Sequence, residues 1–173
     1  RMHSERKALV KLLKKHAPQM LESMQPEHED HLRAGRLYAA AGKARAATKS
    51  FARCERLSPG HLAAAHTAVD AVPTKAHAER LLNAVDSAGE VILANGRFQL
   101  EPMGSPPVSL DTVLASLERA AASAPALADR CRHERKRLDD QRAAIVAGEQ
   151  AANARLQSAL DSLQPKHDYY QYG

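Results

Sequence analysis

Apolar residues recur every three or four positions along most of this chain, the spacing of one face of an α-helix. Near the start, Leu9, Leu13, His16 or Ala17, Met20 and Met24 form one such stripe. Ser4 is placed to cap that helix, with Glu5 in its first turn. Pro18 should kink or split it, because proline lacks an amide hydrogen and its ring clashes with the preceding turn. Gln25-Pro26 interrupts the pattern, and PEHEDH opens a new helix with acidic residues near its positive end. The next runs from about Ala44 to Leu57 and stops at Ser58-Pro59-Gly60. Another spans His61 to about Ala71 and ends at Val72-Pro73, after which Thr74 caps a helix striped by Leu81, Leu82, Val85 and Ala88.

The period is ambiguous from Val91 to Leu100. Asn95-Gly96 between two short apolar runs is a hairpin signal. Ile92, however, extends the 81, 85, 88 stripe, and an isolated two-stranded hairpin is marginal in water. The helix is therefore read as continuing to about Ala94, with a small β-hairpin near 91–100 as the alternative. EPMGSPPV, residues 101–108, is a connector, since adjacent prolines exclude helix. Ser109 caps a helix buried through Leu110, Val113, Leu114 and Leu117. Pro125 opens a last pattern that no proline breaks before Leu163. In that helix Cys131, Leu138, Ile145, Ala152 and Ala159 are spaced by sevens, but Glu134, Gln141, Gly148 and Arg155 hold the second seam position. The segment alone does not make a stable two-stranded coiled coil. Its middle, RHERKRLDDQR, is mostly charged, so the helix should pack at both ends and bridge solvent between them.

The stretch from His31 to Pro59 carries a more specific pattern. Gly35 and Ala47 would let two helices approach, Tyr38 and Phe51 would fill the gaps beside them, and Gly42 stands where the chain reverses. With His31, Ala34, Gly35 and Tyr38 in the W-x-x-L-G-x-x-Y positions, Ala47 and Phe51 in A-x-x-x-F, and Pro59 closing, this segment resembles one tetratricopeptide repeat. His31 replaces the usual Trp and Ala34 the usual Leu, and no second repeat follows in step. The fold class expected is all-α, with tetratricopeptide-like hairpins and a long C-terminal helix. By resemblance, a partner would lie along the first repeat helix, against Glu29, Leu32, Arg36 and Ala39. The segments expected are a basic amphipathic helix (1–24), a tetratricopeptide-like region (25–94), a connector (95–108), a helical hairpin (109–163) and a flexible tail (164–173).

Composition narrows the class. The 173 residues are long enough for a sizeable core, yet only 3% are aromatic, so that core depends on close helix approach. A net charge of +5 permits contact with nucleic acid, anionic lipid or an acidic protein. Cys54 and Cys131 form neither CxxC nor a disulfide framework, which points to a reducing, intracellular and cytoplasmic setting. No apolar run reaches a membrane span. The chain begins at Arg1, not Met, as an excised segment or tag remnant would.

Candidate chemistry is sparse. Lys7, Lys11, Lys14 and Lys15 share one face of the first helix, and Arg135, Lys136 and Arg137 lie in a second basic cluster with Arg130 and Arg132. Either could meet phosphates, although Glu134, Asp139 and Asp140 interrupt the second and no RNA-binding signature with stacked aromatics accompanies it. His28 and His31, with Glu27 nearby, could begin a divalent site, but no second ligand cluster follows; no metal and no cofactor is expected. No G-x-S-x-G, phosphate loop or H-E-x-x-H occurs. The expectation is a noncatalytic scaffold or adaptor subunit that binds a protein partner. The alternatives are a basic subunit of a ribonucleoprotein and a trafficking module similar to the microtubule-interacting-and-transport type.

Overall fold

Helical periodicity is realised over most of the described residues. The structure, a computed structural model, describes residues 2–17 and 26–163. Among them are seven α-helices: α1 (Met2–His16), α2 (His28–Ala40), α3 (Ala44–Leu57), α4 (Leu62–Ala71), α5 (Lys75–Ser87), α6 (Leu110–Ser123) and α7 (Ala128–Leu163). A small sheet of β1 (Val91–Ala94), β2 (Arg97–Leu100) and β3 (Val108–Ser109) lies between α5 and α6. No helix among the described residues is long and apolar enough to cross a membrane. Two compact units divide after Pro59, so the region expected from 25 to 94 runs across that boundary.

In the first unit, α1 starts at Met2, which places Ser4 inside the helix and not at its cap. Pro18, Met20 and Met24 lie outside the described residues. The helices α2 and α3 form an antiparallel hairpin. Its entry is closed by the Glu27 amide donating to Asp30 Oδ2 at 3.0 Å, a carboxylate at the positive helix end. The reversal uses Gly42 at φ +70, where a side chain would be strained. Leu32 and Gly35 are buried on α2, and Ala47, Ser50, Phe51 and Cys54 on α3. A Cβ on Gly35 would lie 2.5 Å from the Phe51 ring, so glycine is what lets that ring seat. Tyr38 departs from the expected gap-filling role and is 41% exposed. It sits at the closed end of the hairpin, where its polar tip favours water.

The second unit packs α4, α5, α6 and the first part of α7 with the sheet. Leu62, Val69, Leu81, Leu82, Val85, Leu100, Leu110, Val113, Leu117 and Leu138 are its large fully buried aliphatics. His61 caps α4 by accepting from the Ala64 amide at 3.2 Å, and Thr74 caps α5 by accepting from the His77 amide at 3.2 Å. His77 Nδ1 lies 2.6 Å from the Val72 carbonyl, tying the α4–α5 connection shut.

After α5 the structure corrects the reading of a helix to Ala94. Helix α5 ends at Ser87 and Gly89 turns the chain at φ +83. Asn95 and Gly96, at φ +53 and +71, make the two-residue turn whose twist suits a hairpin, with Val91 opposite Leu100 and Ala94 opposite Arg97. The objection to an isolated hairpin falls because β3 pairs with β2, Leu100 opposite Val108. Ser109 occupies the N-cap position of α6 without a side-chain cap bond; its backbone pairs with Gln99 instead.

The long helix is also arranged differently from its expectation. Its charged middle docks and its apolar end stands clear. Cys131, Glu134 and Leu138 are buried and Ile145 is partly so, while Leu156, Leu160 and Leu163 are exposed. Both seam positions face the domain in the docked half. Gln141, in the second one, accepts from the Val91 amide at 2.8 Å, satisfying a donor at the start of edge strand β1.

Candidate partner-binding surface

The residues expected along α2 divide by depth. Glu29 and Arg36 are exposed and Ala39 is half-buried, but Leu32 is only 3% exposed. Leu32 shares the Gly35 face of the helix, one turn before it, and is a core residue, not a docking contact. Glu29 and Arg36 still act across the hairpin on Cys54. Burial, then Glu29 and Glu55, raise that thiol to about 11, with Arg36 pulling the other way.

A concave surface lies at the open end of this hairpin. Pro26, His31, Arg53, Arg56 and Leu57 line a cleft of about 640 Å³. Leu57 is 56% exposed, so the floor offers an apolar side chain beside two guanidinium groups. The α3 helix places Arg53 and Arg56 three residues apart on one side, and Leu57 follows one turn after Arg53. Sequence reasoning passed over these residues because the repeat pattern directs notice to α2, whereas the cleft needs the last turn of α3. His28 lies 3.4 Å from Glu29, and His31 lines the arginine cleft.

The two basic surfaces behave differently. Lys7, Lys11, Lys14 and Lys15 are exposed on α1, and their spacing groups them on one side of it. From Arg130 to Arg142 on α7 the cations are matched. Arg135 pairs with Glu118 at 3.3 Å, Lys136 with Asp140 at 2.6 Å and Arg137 with Glu134 at 2.8 Å. Arg130 reaches Asp86 at 3.2 Å, Arg132 pairs with Asp129, and Arg142 bridges Asp111 and Asp139 at 3.1 and 2.6 Å. Asp140 raises the Lys136 pKa through its hydrogen bond and charge. Three of these pairs cross to α5 or α6, so the charged middle holds α7 to its neighbours and offers little net field to a phosphate.

One polar group within the second unit joins serine, histidine and aspartate. Ser116 Oγ donates to Asp70 Oδ1 at 2.8 Å, Arg119 pairs with Asp70 at 2.7 Å, and His66 Nδ1 is 3.6 Å from Asp70 Oδ2. The hydroxyl is committed to the carboxylate and Ser116 is fully buried, so no substrate carbonyl can reach it. The group is a clamp between α4 and α6. Its members lie 46 residues apart, beyond any local pattern.

No family model matches the chain, and searches of curated proteins and of solved structures find no match.

Proposed function

We propose that this protein is a noncatalytic interaction scaffold or adaptor subunit, whose α2–α3 hairpin, similar to a tetratricopeptide unit, holds a segment of another protein. The observation that carries the reading is the cleft at the open end of the hairpin. Arg53 and Arg56 with the exposed Leu57 suit an acidic segment that also presents an apolar anchor, since opposite charge steers and orients while apolar burial supplies affinity. Glu29 and Arg36 flank the path along α2, and Leu32 supports it from beneath.

Peptide display against the full chain should enrich segments with Asp or Glu beside an aliphatic or aromatic residue. Arg53→Glu with Arg56→Glu should weaken their binding by at least about tenfold, and Arg36→Glu by less. Enrichment without acidic residues, or full binding by the double variant, would overturn the reading.

A ribonucleoprotein role is the lesser reading. It rests on the α1 lysines, because the α7 cations from Arg130 to Arg142 are paired. RNA affinity that falls steeply with salt and is lost on Lys11→Glu with Lys14→Glu would favour it.

A further inference from the structure

Resting on the reading of the α2–α3 cleft as the site that holds a partner, we infer that the residue it takes is a phosphotyrosine, so that phosphorylation of the partner switches its capture on. Charge is the first observation. Among the described residues no ion pair engages Arg53 or Arg56, and both are exposed near the end of α3. A carboxylate on a partner brings one charge and two oxygens, enough for one guanidinium fork. A phosphate monoester brings nearly two charges and three oxygens at neutral pH. It therefore matches both arginines and leaves an oxygen for His31, half-buried on the α2 side of the cleft. Asp30, next to His31 along the chain, accepts from the Glu27 amide at 3.0 Å and is committed to closing the helix.

Shape is the second observation. Arg56 and Leu57 stand three and four residues beyond Arg53, so the three side chains are neighbours on one side of the helix. The cleft thus sets two cations beside an apolar side chain, Leu57, 56% exposed, and beside exposed Pro26. Phosphoserine carries its phosphate close to the backbone and has no apolar body to cover either one. Phosphotyrosine carries it at the far edge of a ring. The ring lies on Leu57 and Pro26 while the phosphate reaches the guanidiniums, whose planes also stack on aromatic faces. At about 640 Å³ the cleft has the size that encloses a small ligand, with room for that side chain and the backbone beside it. A single residue then supplies both the charge and the anchor, and fixing one stiff side chain costs less entropy than ordering an acid and an apolar neighbour separately.

Fluorescence polarisation of the 173-residue chain against labelled peptide pools, matched except for a central phosphotyrosine, tyrosine, phosphoserine or glutamate, tests this. The phosphotyrosine pool should bind at least about tenfold more tightly than each of the others. Arg53→Gln and Arg56→Gln should each weaken it by at least about fivefold. Leu57→Ser should weaken the phosphotyrosine pool and leave the phosphoserine pool unchanged, because only the former has a ring to seat. Arg33→Gln, which removes an exposed cation of α2 that does not line the cleft, should change nothing. All four positions are exposed, and far-UV circular dichroism should stay the same for every variant. A glutamate or phosphoserine pool that binds as tightly as phosphotyrosine overturns this inference alone and leaves the acidic-segment reading standing. Equal weakening by Arg33→Gln, or displacement of the phosphotyrosine pool by single-stranded RNA at lower concentration than by unlabelled phosphopeptide, overturns it as well. Binding by none of the anionic pools ends both.

Discussion

Gly35 packs against the Phe51 ring, and the pair shows what single positions decide. Gly35→Ala gains about 1 kcal/mol of helix propensity but forces a methyl into a buried ring, an overpacking cost of about 1–3 kcal/mol. The expected net result is destabilisation by about 1 kcal/mol in urea titration, reversed when Phe51→Leu is added to make room. Cys54 provides a second test. Its thiol is raised to about 11 from an ordinary 9.0, so the folded state retains the proton longer than the unfolded chain. The stability contributed is present in full below about pH 9 and is lost as pH rises toward about 11. Alkylation of Cys54 should accordingly be slow at pH 7 and hasten as stability falls above pH 9, which mass spectrometry would follow. The small residues, the Phe51 position and the reversal at Gly42 were legible in the sequence because steric demand restricts them to few residue types. Tyr38 and Leu32 were not, since a repeat pattern records spacing and not which side chain turns toward water.

Secondary structure was legible wherever a stop signal bounded it. The ends of α3 at Leu57 and α4 at Ala71 agree with the prolines and caps read from the sequence. The hairpin was the contested stretch, because the strand that stabilises it, Val108–Ser109, lies beyond a proline-containing loop and is only two residues long. Helix α7 misled for a different reason. Charge was taken as a mark of solvent, but here Glu134 and Gln141 face the domain with their polar groups satisfied at Arg137 and Val91. Gln141→Ala should leave the Val91 amide without that partner at a cost of about 1 kcal/mol. Hydrogen exchange would register it as faster exchange of the Val91 amide, with the α6 amides unchanged.

The whole chain is two units of unequal core. Among the described residues the first unit buries few large side chains, chiefly Leu32 and Phe51, whereas the second has a continuous aliphatic core from Leu62 to Leu138. Amides of α2 and α3 should therefore exchange at lower denaturant than those of α5 and α6, as units with smaller cores open first. Leu138→Ala should cost the second unit about 2–5 kcal/mol, while Leu160→Ala should leave unfolding of the monomer within about 0.5 kcal/mol of the unchanged chain. The division after Pro59 was not legible, because proline and glycine there also suit an ordinary helix–helix connection.

The overhang of α7 has a metric consequence. An α-helix is a stiff rod with a fixed rise, so Leu163 stands about 38 Å beyond the buried Leu138 along it. Spin labels at exposed positions near Leu138 and Leu163 would report that span directly. Lengthening the rod beyond Ile145 by a whole number of turns should change the span without disturbing the core that holds its other end.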